Sequence, residues 1–154
     1  MAKKFEEKKF NIPKLEGISE KAIEIHLGLY AGYVKNVNEL LEEKEYNRRF
    51  PFEFNGMRNH EVYFAHFEGG STALTAGGPL TQAGFDLERF KTMALTRGVG
   101  WAIVYYDPLT KRLLNTWVDE HHLGQLVGLS PILVRGVQAW VQAGGRLGEL
   151  GDIE

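Results

Sequence analysis

The order of two apolar patterns along the chain constrains its fold most strongly. Residues 19–44 place apolar side chains at helical spacing after Ser19, a residue type that favours helix N-caps. A polar break over 45–49 precedes a second helical pattern at residues 52–67. Two helices joined by so short a break are expected to pair as an antiparallel hairpin.

The second half of the chain instead holds short runs of aromatic and β-branched residues, which are typical of strands. Residues 101–106 and 112–118 flank the turn signal Asp107-Pro108, and residues 131–134 form a third short apolar run. A further helix is expected over 87–95. Helices followed by strands are typical of α+β proteins.

We therefore predict an α+β fold, with an N-terminal antiparallel helical hairpin followed by a small C-terminal domain that holds an antiparallel pair of strands and a third strand. The glycine-rich stretch before Pro79 predicts a boundary between a hairpin unit at 1–78 and a second unit at 79–154. Residues 1–17 are expected to form an extended leader, and its lysines, interleaved with Glu6 and Glu7, are expected to be solvated.

The composition excludes several classes of function. The chain has no cysteine, so it has no disulfides, thiolate metal sites or cysteine nucleophiles. A formal net charge of −2 provides no basic excess for nucleic acid. No apolar run approaches the roughly 20 residues of a membrane span, and the basic N-terminus lacks the apolar core of a secretory signal. We expect a cytoplasmic protein that binds neither nucleic acid nor membranes.

Histidines on the two predicted helices are the first candidates for chemistry. On the first helix, His26 shares one face with Tyr30 and Tyr33. His60 lies on the second helix, so a hairpin could direct one imidazole from each helix into the same space. Imidazole nitrogen suits iron, manganese and zinc alike. His66 lies off the face of His60 and is expected at the surface or at an interface.

A second pair of histidines, His121 and His122, follows Asp119-Glu120 in a predicted loop. Adjacent residues of an extended chain point to opposite sides, so at most one of the two can face a site. Both a loop metal site and a solvated loop are compatible with this pattern.

Taken together, these segments resemble the iron/manganese superoxide dismutases over roughly residues 10–134. The segments that carry the resemblance are His26 with Tyr33-Val-Lys-Asn-Val-Asn38, then Arg58-Asn59-His60, then Gly98-Val-Gly-Trp101-Ala-Ile-Val and Gly128-Leu-Ser-Pro131-Ile-Leu-Val134. They are similar to the family's ligand histidine before Tyr-Val-x-Asn-Leu-Asn, and to its Trp-Asn-His, Gly-Ser-Gly-Trp-Ala-Trp-Leu and Pro-Leu-Leu motifs.

The resemblance implies that the N-terminal antiparallel helical hairpin packs on a small C-terminal domain with a three-stranded antiparallel sheet. It implies a mononuclear iron or manganese site, held by three histidines, one aspartate and a solvent molecule. It implies disproportionation of superoxide to oxygen and hydrogen peroxide, in a possible homodimer or higher homo-oligomer. His26 and His60 match the first two metal ligands.

The resemblance also implies roles for residues around the metal. Tyr33 matches the active-site tyrosine, Tyr30 stands near the place of a substrate-channel histidine, and Trp101 matches a tryptophan packed beside the metal. Either His121 or His122 could replace a glutamine that hydrogen-bonds the metal's solvent, and we assign that catalytic role to His122.

The sequence departs from the family after the third strand. The positions of the family's Asp and third His ligands fall on Gly136 and Trp140, or on Gln138 and Gln142 in another register. We expect either a truncated or frame-altered C-terminus or a rebuilt site, completed by another subunit or by a carboxylate of Glu61, Asp119 or Glu120.

With two ligands only, iron or manganese is expected to bind weakly or not at all. One alternative is a non-catalytic dismutase-fold protein that lacks two of the four metal ligands. Another is an unrelated two-histidine metal-binding module.

Overall fold

The computed structural model describes residues 3–43, 48–70, 73–126 and 130–136, the last segment as backbone only. Within these ranges four helices precede three strands, which confirms the α+β class. The elements are α1 Glu20–Glu42, α2 Phe50–Ala65, α3 Pro79–Gln82, α4 Leu87–Ala94, β1 Trp101–Asp107, β2 Arg112–Val118 and β3 Ser130–Gly136. None of the described helices has the length and apolarity needed to cross a bilayer.

The first two helices form the predicted antiparallel hairpin. α1 begins where the Ser19 hydroxyl accepts the amide of Ala22 at 3.1 Å. α2 begins two residues earlier than predicted because Pro51, which has no amide hydrogen to leave unpaired, sits in its first turn. The helices pack through an apolar face that includes Val34 and Val37 of α1 and Met57 of α2, all buried.

The three strands form one antiparallel sheet, as expected, and their order in it is β2-β1-β3. Alternate residues of the central strand β1 enter two different cores. Trp101, Ile103 and Tyr105 join the core of the helical hairpin, whereas Ala102 and Val104 pack with α4 on the other face. Because hairpin and sheet bury a common interior, β1 is held directly beneath the hairpin. The boundary between 78 and 79 stays a prediction.

The N-terminal leader contains no helix or strand over residues 3–15, and it is not only a solvated segment. The backbone of Phe5 exchanges two hydrogen bonds with the Asn38 side chain of α1, at 2.8 and 2.9 Å. The Phe10 ring packs on Phe64 of α2 at 5.4 Å between centroids. The Lys8 side chain is 56% exposed, in line with the expected solvation, but its ammonium also lies 2.9 Å from the buried carboxylate of Glu61. The leader is therefore bonded to both helices.

Candidate metal centre

The hairpin brings His26 and His60 together at its buried interface with the sheet. Their ring centroids are 4.8 Å apart, and each residue is only 3% exposed. The walls around the pair are aromatic: Trp101 of β1 lies 4.8 Å from His60, and Tyr63 lies 4.9 Å from His26. The two imidazoles predicted to converge do so in a nearly dry environment.

The hydrogen bonding of His60 leaves one nitrogen available. Its Nδ1 lies 2.7 Å from the Gly56 carbonyl oxygen, which can only accept, so Nδ1 carries the hydrogen. Its Nε2 is buried and has no hydrogen-bond partner within the described residues, and the same holds for Nδ1 of His26. An imidazole that donates one N–H to a backbone carbonyl and keeps the other nitrogen free is the usual form of a metal-ligating histidine.

Burial also keeps both imidazoles in the form that binds metal. Desolvation lowers the pKa of His26 to about 4. Desolvation, together with the nearby His26, lowers the pKa of His60 to about 3. Both rings are therefore neutral at pH 7, and neutral imidazole is the form that ligates metals.

A third ligand is missing from the part of the chain that the structure describes, where no group of three histidine, aspartate or glutamate side chains could hold a metal ion. Gly136 pairs with Trp101 in the sheet but has no side chain to contribute. Gln138, Trp140 and Gln142 lie outside the described residues. The histidine pair thus fits a metal ion as two of its ligands, and the described residues do not supply the rest.

The three carboxylates considered as replacements have other partners. Glu61 accepts from Tyr30 and Arg58 and pairs with Lys8. Asp119 accepts the indole N–H of Trp117 at 3.0 Å. Glu120 lies 3.5 Å from Nε2 of His122.

Tyr33 is held beside the pair by the absence of a side chain at Gly56. Its ring centroid is 5.1 Å from that of His60, and a Cβ at Gly56 would overlap the Tyr33 ring. Burial, and then the charge of Glu53, raise the pKa of Tyr33, so the phenol stays protonated at neutral pH. Tyr33 lies where the resemblance implies an active-site tyrosine; its role stays a prediction.

Gly56→Ala is expected to lower the free energy of unfolding by up to about 2 kcal/mol, because an overpacking cost of roughly 1–3 kcal/mol is only partly offset by a helix-propensity gain of about 1 kcal/mol. Gly28→Ala in α1 is the matched control, since a Cβ there meets no described atom within 4 Å. It should raise stability by about 0.5 to 1 kcal/mol. Urea unfolding of both variants checks the opposite signs, and equal effects would contradict the packing of Tyr33 on Gly56.

The hydroxyl of Tyr30 is engaged away from the histidine pair. It accepts the backbone N–H of Lys8 at 2.9 Å, so its own hydrogen is directed to Oε1 of Glu61 at 3.3 Å. Its ring centroid lies 6.5 Å from that of His60. The geometry therefore favours an anchoring role for Tyr30 over the predicted catalytic one.

Glu61→Ala is expected to lower the free energy of unfolding by about 2 kcal/mol, because the buried Tyr30 hydroxyl loses its acceptor and the leader loses the Lys8 ion pair. Glu68→Ala is the control: Glu68 also holds the leader, by accepting the amide of Asn11, but is exposed. Its loss should change stability by less than about 0.5 kcal/mol. Equal losses in the two variants, measured by urea unfolding, would contradict a special role for Glu61.

His121, and not His122, faces the site. Its Nδ1 accepts the indole N–H of Trp101 at 3.3 Å, which leaves Nε2–H to donate to the Phe52 carbonyl at 2.8 Å. Burial lowers the pKa of His121, so this neutral tautomer persists at pH 7. His122 turns toward Glu120 instead. The geometry therefore favours His121 over His122 as the loop histidine beside the site, because His121 is bonded to Trp101, while the solvent-bonding role itself stays a prediction.

Sequence reasoning missed two further residues near the pair. Gln125, just after the loop considered, donates to Oδ1 of Asn59 at 3.1 Å. Glu53 is a carboxylate only 1% exposed, on the hairpin face that carries Gly56 and His60. An acidic residue in the first turn of a helix is common, so nothing in the sequence pattern marks Glu53 as buried.

Comparison with known proteins finds relatives that are named superoxide dismutases. A superoxide dismutase [Fe] of Cupriavidus metallidurans is 31% identical over 142 residues, covering 78% of this chain and 72% of the relative. A superoxide dismutase [Fe] of Aquifex aeolicus is 30% identical over 147 residues, covering 78% and 68%.

A superoxide dismutase [Mn/Fe] of Aeropyrum pernix is 29% identical over 134 residues, and the chain spans 62% of its length. No protein-family model matches the chain. Identity at this level over more than two thirds of two relatives, together with the matching fold, shows that the chain belongs to the iron/manganese superoxide dismutase family.

Proposed function

We propose that this chain is a superoxide dismutase-like metalloprotein that binds one iron or manganese ion through His26 and His60. The observation that carries the proposal is the pair of buried, neutral imidazoles from two helices, with Nε2 of His60 free of any hydrogen bond in the described structure. The proposed reaction combines two superoxide ions and two protons to give oxygen and hydrogen peroxide.

A bound iron or manganese ion would supply the one-electron redox chemistry of this reaction. The residues of the chain would do the rest. His26 and His60 would bind the metal ion. Trp101 and Tyr63 would exclude water from the site, and Tyr33 would hold a proton on its hydroxyl beside His60. The Trp101–His121–Phe52 chain of hydrogen bonds keeps the indole fixed against the pair. Because two neutral imidazoles supply no anionic ligand, we expect weaker metal binding than a four-ligand site gives.

The proposal extends to the setting of the protein. We propose superoxide as its substrate, a cytoplasmic location, no nucleic-acid or membrane partner, and a homodimer or higher homo-oligomer. The net charge of −2 supports the absence of a nucleic-acid partner.

A second candidate function is that of a non-catalytic member of the family. One observation favours it: the described residues offer no third metal-ligating side chain. In that case the fold is retained while the chemistry is lost.

The test measures superoxide decay by stopped-flow spectroscopy with the full chain at saturating Mn²⁺ or Fe²⁺. The wild type should accelerate decay beyond the free ion at the same concentration, and His26→Gln with His60→Gln should abolish the excess. His122→Gln is the control and should keep it. Bound metal without excess decay would favour the non-catalytic candidate, and no bound metal would overturn the proposal.

A further inference from the structure

Glu53 is a buried carboxylate that ties the two helices of the hairpin together. Its Oε2 accepts from Nδ2 of Asn36 on α1 at 3.0 Å, and its Oε1 accepts from Nε of Arg49, at the start of α2, at 2.6 Å. Burying a carboxylate is costly even when it is paired, and apolar residues often stabilise such a position better. The presence of a buried carboxylate at this position despite its cost indicates that the spacing between α1 and α2 must be defined.

The register of the hairpin places this tie next to Tyr33. Tyr33 lies one turn before Asn36 on α1, and Gly56 lies one turn after Glu53 on α2. In an antiparallel hairpin these two turns face each other, and the Tyr33 ring indeed lies against Gly56. One further turn along α2 brings His60, whose ring is 5.1 Å from that of Tyr33.

The Tyr33 ring tolerates little change in the distance between the helices. The space that the ring occupies exists only because residue 56 has no side chain. The ring also lies against the rings of Phe52 and His121, with centroids 5.9 Å apart in each case. If the helices separate at Asn36 and Glu53, the ring loses its support on Gly56. It is then free to leave His60.

We propose that Glu53 is a positioning residue for Tyr33: its hydrogen bond to Asn36 sets the spacing of α1 and α2 where the Tyr33 ring enters, and so holds the phenol against His60. This inference rests on the proposed function, because it concerns the tyrosine of the same site. It assigns Glu53 no contact with substrate or metal.

The experiment uses the metal-free full chain at neutral pH and measures the NMR cross-relaxation peak between the ring protons of Tyr33 and His60. Glu53→Ala and Asn36→Ala should each weaken this peak. The double variant should weaken it no further, because both single changes remove one shared interaction. Glu53→Gln should keep the peak, since its amide can still bond Asn36. The control is Glu39→Ala on the exposed face of α1, which should leave the peak unchanged.

A peak that keeps its full intensity in folded Asn36→Ala or Glu53→Ala would overturn the inference. Should Glu53→Ala fail to fold, Asn36→Ala decides, because it leaves the Arg49–Glu53 ion pair in place. A peak weakened equally by Glu39→Ala would also overturn it. The measurement needs no metal, so a chain that binds no iron or manganese overturns the proposed function and leaves this test intact.

Discussion

Acidifying the metal-free protein from pH 7 to pH 5 is expected to lower its free energy of unfolding by about 4 kcal/mol through His26 and His60 alone. Burial lowers their folded pKa values to about 4 and about 3. In the unfolded chain both rings have the ordinary value of 6.5, so the unfolded state takes up protons first as the pH falls. The stabilisation is therefore complete above pH 6.5 and is lost as the pH falls toward the folded values.

Urea unfolding at several pH values, followed by tryptophan fluorescence, measures this slope. His60→Gln should remove about half of the decline, roughly 2 kcal/mol, whatever its effect on stability at pH 7. Carboxylates that titrate in the same pH range contribute equally to the pH dependence of both proteins. Their contribution therefore cancels when the slopes of the wild type and His60→Gln are compared. A His60→Gln slope as steep as that of the wild type would contradict a buried, neutral His60.

Replacing His60 by glutamine is also expected to lower the affinity for Mn²⁺ or Co²⁺ at least about 100-fold. Losing a residue that only orients a metal ligand typically lowers the metal affinity 10- to 100-fold, and His60 is proposed as a ligand itself. The reason is that Nδ1 of His60 is bonded to the Gly56 carbonyl, which fixes the ring and its tautomer, while Nε2 has no hydrogen-bond partner within the described residues. His26→Gln should have an effect of the same order. Isothermal titration calorimetry of the full chain provides the affinities.

In the same calorimetric titration, His121→Gln distinguishes residues that ligate the metal from residues that only lie beside it. Both nitrogens of His121 are bonded within the protein, to Trp101 and Phe52, so its loss should lower the affinity less than about tenfold through the displaced indole. If His121→Gln costs more than His60→Gln, the metal lies elsewhere in the loop. His122→Gln should leave the affinity unchanged.

Much of the fold was predictable because it follows from local patterns. Apolar spacing alone indicated α1 and α2, and a short break between helices dictates an antiparallel hairpin, which is why the approach of His26 and His60 could be expected. The strands were marked by β-branched and aromatic runs, and β1 alternates between two cores as a central strand should.

The parts that could not be predicted depend on partners distant in sequence. The choice between His121 and His122 is made by Trp101 and Phe52, and periodicity says nothing about the direction of a loop side chain. The anchoring of Tyr30 depends on Lys8, in a leader whose charged composition suggested only solvent contact. A sequence motif can identify a candidate residue, but the hydrogen bonds that the residue makes in the fold determine its chemical role.

Equilibrium dialysis of the full chain against Mn²⁺ measures whether His26 and His60 form a two-ligand metal site. Metal bound per chain would be measured for the wild type and for the variant that combines His26→Gln with His60→Gln. We expect the wild type to approach one ion per chain as the Mn²⁺ concentration is raised, and the double variant to bind none specifically. Equal binding by the two proteins, or no binding by either, would contradict this expectation.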